Sequence, residues 1–250
     1  MGVSPLKTTK LLLMKKNITL LAVLLCITTI QAQKKIKGNG NMTTINRTTS
    51  DYDSVQFEGP FDYVLVSGKE GNIKLEGEEN LLPYITTQVK NGTLVISTNK
   101  KVNVQASRNK MIKITVPYQK IATVSLAGSG DLWSEDNIFS PQLKVSVAGS
   151  GDAKLMVEAT SIEANIAGSG ALTLSGKTSN LKLRVTGSGA YKGADLHADD
   201  GDVSVAGSGD AVISCHGHLK ARVVGSGNIK YHGNPKTEDI KVTGSGQITK

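Results

Sequence analysis

The feature that most constrains this chain is a Gly-Ser-Gly triplet that recurs seven times in its second half. Successive triplets begin 21, 19, 19, 20, 18 and 19 residues apart. The glycines that bound the triplets are Gly128, Gly130, Gly149, Gly151, Gly168, Gly170, Gly187, Gly189, Gly207, Gly209, Gly225, Gly227, Gly244 and Gly246. Self-similarity at such a period is the signature of a repeat protein in which each repeat stacks on its neighbours. The triplets therefore predict a solenoid with one layer per repeat.

Apolar and polar residues alternate on both sides of the triplet. Two residues before the first glycine the side chain is always aliphatic, and the residue before that is always polar or basic. A period of two indicates β-strands with one buried face. A repeat of about 19 residues is too short for a strand–helix–strand unit, which needs about 30. We therefore predict that each repeat is one coil of a parallel β-helix and that the glycines form its corner, where tight turns and close stacking leave no room for a side chain.

The first half of the chain lacks the triplet but still contains strand-like segments. Asn91-Gly92 lies between two of them as a turn signal, and Pro117 ends the last one. We predict an all-β fold in which an irregular N-terminal β unit, residues 51–120, packs on a Gly-Ser-Gly repeat solenoid, residues 121–250. The other interpretation is that residues 51–120 are a less regular continuation of the same solenoid.

The N-terminus has the layout of a secretory signal peptide. Lys15 and Lys16 precede an apolar run of 13 residues, 18–30, and Ala32 follows at a cleavable position. The run is shorter than the roughly 20 residues that a membrane-spanning helix needs. We predict a signal peptide over residues 1–32 with translation starting at Met14, then a flexible linker over 33–50. The mature chain would have no transmembrane segment and would reach the periplasm or the outer cell surface.

The charge pattern bears on the expected partners, and the cysteine content bears on disulfide bonds. The chain carries a formal net charge of +8, of which residues 1–32 contribute four lysines and no acid. In the remainder the two signs are interspersed, and no basic block contains interleaved aromatic residues. This pattern argues against nucleic acid as a partner. Cys215 is the only cysteine after residue 32, so the mature chain is predicted to have no internal disulfide.

Acidic residues at the coil corners are one candidate site. Asp131, Asp152 and Asp210 each directly follow a triplet. In stacked coils Asp131 and Asp152 would lie one rung apart, near enough to share a calcium ion or to act as paired carboxylates. The matching positions in the other repeats are Ala171, Ala190, Asn228 and Gln247. Because that series is typical of a tolerant turn, we favour aspartates that accept backbone N–H bonds over a metal or catalytic role.

Histidines in the variable loops are the other metal candidates. His197, His216, His218 and His232 follow the triplets of three successive coils, and Cys215 lies beside them. Imidazole and thiolate suit zinc or copper. The spacing matches no compact ligand signature, however, and loop side chains are usually solvated. We therefore expect surface histidines, and we nominate neither a catalytic or cofactor-binding residue nor a cofactor.

Several segments together resemble a known family. They are Phe57-Glu58-Gly59-Pro60-Phe61, Glu76-Gly77-Glu78-Glu79-Asn80-Leu81-Leu82, Asn91-Gly92-Thr93-Leu94-Val95-Ile96 and Ile114-Thr115-Val116-Pro117, followed by the Ala-Gly-Ser-Gly-Asp corners. In this order they resemble the head GIN domain family of auto-transporter adhesins, which is common in Bacteroidetes-type bacteria. The resemblance spans roughly residues 50–248. It implies an exported, β-helix-like protein and brings no catalytic residues with it.

Two hypotheses for the function remain. The first is a non-enzymatic, adhesin-like scaffold that binds a glycan, a protein or another envelope component through flat sheet faces. The polar rows of such a face would include Ser125, Ser146, Asn165, Arg184, Ser204 and Arg222. The alternative is a polysaccharide lyase or hydrolase that uses the stacked corner acids. Trp133 is the only tryptophan, and this scarcity of aromatic platforms favours the first hypothesis. Assembly into a homo-oligomer through faces or ends stays open.

Overall fold

The computed structural model describes residues 34–99 and 102–250, and in these ranges most residues lie in β-strands. The one helical element among them is a 3-10 turn at Leu82–Tyr84. The strands are β1 Lys34–Lys37, β2 Met42–Thr48, β3 Ser54–Glu58, β4 Asp62–Ser67, β5 Asn72–Glu78, β6 Ile85–Lys90, β7 Thr93–Thr98, β8 Val102–Gln105, β9 Lys113–Tyr118, β10 Thr123–Gly128, β11 Leu132–Ser134, β12 Ile138–Gly149, β13 Ala153–Gly168, β14 Ala171–Gly187, β15 Ala190–Gly207, β16 Asp210–Cys215, β17 His218–Gly225, β18 Asn228–His232, β19 Thr237–Gly244 and β20 Gln247–Thr249.

The predicted parallel β-solenoid is confirmed. The segments that end at the first glycine of each triplet pair in parallel from coil to coil, with Gly128 opposite Gly149 and Gly149 opposite Gly168. We call the sheet they form the front face. The segments that follow the second glycine form the back face in the same way, with Ala153 opposite Leu172. Residues 138–142, 157–161, 176–180 and 196–200 form a third sheet, the side face.

The irregular N-terminal β region continues the same two sheets. β3 pairs in parallel with β10 on the front face, and β4 pairs in parallel with β11 on the back face. β7 and β9 add one further parallel strand to each sheet. Antiparallel pairs then end the stack, namely β6 with β7, β5 with β9 and β2 with β5. Residues 51–120 are thus the less regular continuation that the sequence left open.

An eighth glycine corner lies in this region. Gly59 has a φ of +120°, within the range of the first glycines of the triplets. The Cβ of an alanine at Gly128 would lie 2.9 Å from the Gly59 carbonyl oxygen, and one at Gly130 would lie 2.0 Å from that of Phe61. Gly59-Pro60-Phe61 therefore takes the place of a Gly-Ser-Gly triplet. The buried residues Val55 and Phe57 precede Gly59 at the same offsets as in the repeats, and this pattern could have revealed the corner.

The segment expected to be a flexible linker, residues 33–50, contains strands instead. β2 pairs in antiparallel fashion with β5 over seven positions, from Met42 opposite Glu78 to Thr48 opposite Asn72. β1 pairs with β8. β2 covers the core with only one of its faces, so three of its four exposed positions are polar and its composition resembles that of a linker. The signal peptide and the start at Met14 lie outside the described residues.

The core is narrow and mostly aliphatic in the repeats. Leu, Val, Ile and Ala side chains fill most of it, and Tyr191 and Tyr231 are the aromatic residues of the described repeats that lie in it. Larger rings gather at the N-terminal end, where Phe57 stacks on Tyr63 with ring centroids 4.4 Å apart. At the other end every residue of β19 is exposed. Ile240 and Val242 in that strand occupy core positions of the last coil but are 40% exposed.

Candidate functional site

The two glycines of each corner are needed for different physical reasons. The first glycine of every triplet has a φ between +103° and +123°, a region that side-chain-bearing residues rarely adopt. The second glycine has no such φ, but a Cβ there would lie 2.0 to 2.7 Å from a backbone oxygen of the preceding coil. The Gly128 carbonyl accepts the N–H groups of Ser150 and Gly151 at 2.9 and 3.0 Å. The corners are therefore structural elements that lock one coil to the next.

The corner aspartates also link the coils. The Asp152 N–H donates to Oδ1 of Asp131 at 3.1 Å, and the Ala171 N–H donates to Oδ1 of Asp152 at 2.8 Å. Asp210 accepts the N–H of Asn228 at 3.0 Å in the same manner. These carboxylates accept backbone N–H bonds, as the sequence favoured. Within residues 34–99 and 102–250, no group of three or more His, Cys, Asp or Glu side chains is placed to hold a metal ion.

Two of the four candidate histidines come together. The ring centroids of His197 and His216 lie 6.1 Å apart, and both side chains are exposed. His218 instead shares a hydrogen bond with Thr237, and His232 lies exposed at the end of β18.

Cys215, which the sequence places beside these histidines, is a buried free thiol. Its Sγ lies 3.3 Å from the carbonyl oxygen of Asp199, to which it donates a hydrogen bond. Burial is the largest influence on this thiol and raises its pKa. A buried thiol whose pKa is raised is a poor nucleophile and a poor metal ligand at neutral pH.

The polar rows expected on the front face are present, and a second row beside them alternates in charge. In successive coils this second row contains Lys144, Glu163, Lys182, Asp202, Lys220 and Asp239. Arg184 lies 3.7 Å from Glu163, and Lys220 lies 3.1 Å from Asp202. Because neighbouring charges oppose each other, the three lysines and three acidic residues of this second row cancel. In the last six repeats each charged residue lies five positions before the first glycine of its triplet, so inspection of the sequence could have found this row.

A groove on the side face is the feature that sequence analysis missed. It has a volume of about 670 Å³ and crosses four coils. One wall is formed by Phe139, Glu158, Lys177 and His197, which lie opposite one another in register. The other wall contains Thr160, Ser179 and Asp199. These residues belong to the variable segments between triplets, so the repeat pattern gave no sign that they meet.

Stacked coils locked by glycine corners, with long outward rows of side chains, define a solenoid suited to presenting surfaces. The chain belongs to the family described as "Putative auto-transporter adhesin, head GIN domain", whose sequence profile matches residues 51–235. This finding confirms the resemblance that the sequence motifs indicated. In the part of the chain that the structure describes, no helix combines the length and apolarity needed to span a membrane.

Solved structures share the fold. A "putative adhesin" from Bacteroides fragilis superposes with a TM-score of 0.78 at 23% identity, covering 86% of this chain and 99% of that one. A "putative lipid binding protein" from Parabacteroides distasonis gives 0.70 at 26% identity, with coverage of 86% and 99%. A "putative adhesin" from Parabacteroides merdae gives 0.64 at 22% identity, with coverage of 86% and 98%. A comparison with curated proteins returned no match.

Proposed function

We propose that this chain is an exported, non-enzymatic binding protein of the adhesin type, which holds a glycan, a protein or another envelope component on its sheet faces. The observation that supports this role most is the regular placement of outward side chains in register over successive coils. Such rows present the same hydrogen-bonding groups about every 4.8 Å along the solenoid. A repeated surface of this kind suits a repetitive or extended partner.

The enzyme alternative depended on stacked acids at the corners. Asp131 and Asp152 instead use a carboxylate oxygen to accept a backbone N–H of the next coil. A carboxylate that secures the backbone in this way is a turn element rather than a free acid or base. The hypothesis of a binding surface therefore accounts for these aspartates without giving them a catalytic role.

Export is part of the proposal. Residues 1–32 would act as a signal peptide and deliver the chain to the periplasm or the outer surface. Expression of the full chain in a bacterial host, followed by N-terminal sequencing of the exported product, tests this step. We expect Gln33 to be the first residue. An intact N-terminus on a chain that stays in the cytoplasm would contradict it.

Binding is tested by immobilising the purified mature chain and measuring retention of four probes. The probes are an array of neutral and acidic glycans, a peptide array, type I collagen and phosphatidylglycerol vesicles. The vesicles examine whether the property in the name of the P. distasonis relative extends to this chain. We expect saturable retention of at least one probe. Failure to retain any of the four would overturn the proposed function.

A further inference from the structure

The groove on the side face has the shape of a site for an extended ligand. Its floor is the row Ser140, Ala159 and Thr178, whose members lie opposite one another in successive coils. Thr178 is only 5% exposed, so the floor lies below the two walls. Three coil spacings of about 4.8 Å make the groove about 14 Å long. Its volume of about 670 Å³ falls within the range of ligand-binding clefts, roughly 300 to 1,000 Å³.

An exposed aromatic ring stands at one end of the groove. Phe139 is 64% exposed, although most large apolar side chains of the described chain are enclosed in the core. It lies in the wall, one residue before the floor residue Ser140. An exposed ring beside a polar cleft offers a flat surface on which the C–H face of a sugar ring can stack.

The rest of the walls can form hydrogen bonds in both directions. Hydroxyl groups of Thr160 and Ser179, the carboxylate of Asp199 and the imidazole of His197 line the groove. All four side chains are exposed. The floor hydroxyl of Thr178 is already bonded to the carbonyl oxygens of Thr160 and Asn180, at 3.4 and 3.2 Å. A ligand would therefore find polar groups at its edges and a compact floor beneath it, as sugar hydroxyls around a ring require.

The charges in the groove do not favour an acidic polymer. Glu158 and Lys177 form an ion pair at 2.8 Å, so the lysine is already neutralised. Asp199 adds a negative charge to the opposite wall. An acidic glycan would meet this carboxylate without an unpaired lysine or arginine lining the groove to compensate it.

The strand pairing also argues against an extended peptide. Peptides commonly join a sheet by adding a strand to an open edge. The central strands of the floor, β13 and β14, are each paired on both sides, β13 with β12 and β14, and β14 with β13 and β15. The middle of the groove therefore has no edge to which a peptide backbone could bond.

We propose that the side-face groove binds a neutral glycan chain that runs along the solenoid axis, with one sugar ring stacked on Phe139. The inference rests on the proposed function and names the site and ligand class of that binding. The ion pair of Glu158 and Lys177 forms the middle of one wall. Asp199 and His197 form hydrogen bonds to sugar hydroxyls on either side of the floor.

The test uses the mature chain and four neutral tetrasaccharides, namely mannotetraose, cellotetraose, laminaritetraose and chitotetraose, with tetragalacturonate as an acidic counterpart. Titration calorimetry compares wild type with Phe139→Ala, which removes the ring, and Ala159→Arg, which fills the floor. Met111→Ala is the matched control, because Met111 is also 64% exposed but lies outside the groove. Circular dichroism verifies that each variant keeps its β spectrum.

We expect at least one neutral tetrasaccharide to bind, with affinity reduced about tenfold by Phe139→Ala, lost in Ala159→Arg and unchanged in Met111→Ala. If both groove variants bind a neutral glycan as wild type does, the groove assignment is overturned while the proposed function survives. Binding of tetragalacturonate alone, or of peptides alone on the peptide array, overturns the ligand class and likewise leaves the proposed function intact. If the chain binds none of these oligosaccharides, the groove proposal fails. The proposed function fails with it only if the glycan array, the peptide array, type I collagen and the vesicles are not retained either.

Discussion

Replacement of Gly170 by alanine separates crowding at the corner from backbone strain. Gly170 is the second glycine of its triplet, and its φ is one that other residues adopt. A Cβ at this position would lie 2.2 Å from the carbonyl oxygen of Gly151, in the backbone of the preceding coil. Ordinary contact begins at 3.4 Å. The two coils would therefore have to move apart by about 1 Å at a point where no flexible side chain can yield.

The cost follows from the bonds at that corner. The N–H groups of Ser169 and Gly170 donate to Gly149 at 2.9 and 3.0 Å, and a shift of about 1 Å breaks both. Each lost bond costs about 1 kcal/mol, and overpacking costs a further 1–3 kcal/mol or so. We expect Gly170→Ala to lower the free energy of unfolding by about 4 kcal/mol. For a chain of this size that corresponds to a fall in Tm of about 8–16 °C.

Gly40 provides the matched control. It has a φ of +84°, yet nothing lies within 4 Å of an added Cβ. Gly40→Ala should therefore introduce backbone strain without crowding. We expect it to lower the free energy of unfolding by about 1 kcal/mol and the Tm by about 2–4 °C. Thermal melting followed by circular dichroism compares the two variants. If Gly170→Ala melts within a few degrees of Gly40→Ala, close stacking is not the reason for the second glycine and the reasoning is refuted.

Three further substitutions examine single polar groups. Burial alone would raise the pKa of Glu78, but hydrogen bonds donated by Ser107 and Gly40 outweigh it and hold the pKa below its ordinary value. The ionised carboxylate therefore stabilises the fold fully at a pH above that ordinary value, and this stabilisation is lost as the pH falls through the lowered pKa. Glu78→Gln should flatten the acid side of the plot of Tm against pH, and an unchanged slope would count against this role. In urea unfolding, Asp152→Ala should lower the free energy of unfolding by about 1 kcal/mol. Asp152→Asn should leave it almost unchanged, because the amide oxygen can still accept the N–H of Ala171. Equal losses in the two variants would exclude this explanation. The buried Tyr191 hydroxyl has no hydrogen-bond partner within the described chain, so Tyr191→Phe should match or exceed wild type in Tm, and a clear decrease would point to a bond that the structure lacks.

The repeats could be predicted because each feature there is local. Alternation around the triplet fixes which side chains point inward, and the glycines fix the corner, so Val145 and Val185 lie in the core as the pattern indicates. Asp152 accepts a backbone N–H because it follows a turn glycine, whatever its tertiary surroundings. Features of this kind can be predicted from neighbouring residues alone, without knowing how the coils pack against one another.

Features that depend on pairing between distant segments were missed. β2 is a polar edge strand that is held by β5, some thirty residues away, and its composition alone resembles a linker. The corner at Gly59 contains Pro60 and Phe61, which the triplet motif excludes. The groove exists only because the coil lengths bring Phe139, Glu158 and Lys177 into register. No single repeat contains that information.

The central claim is that this solenoid binds its partner without cleaving it. One experiment measures binding and cleavage in the same sample. End-labelled linear mannan is incubated with the purified mature chain, together with the neutral glycan that gives the strongest signal on the array. Retention and chain length are then read from the same sample. The account predicts saturable retention with the chain length unchanged. Shortening of the glycan that disappears in the Asp152→Ala variant would contradict it and would restore the corner acids as a catalytic site.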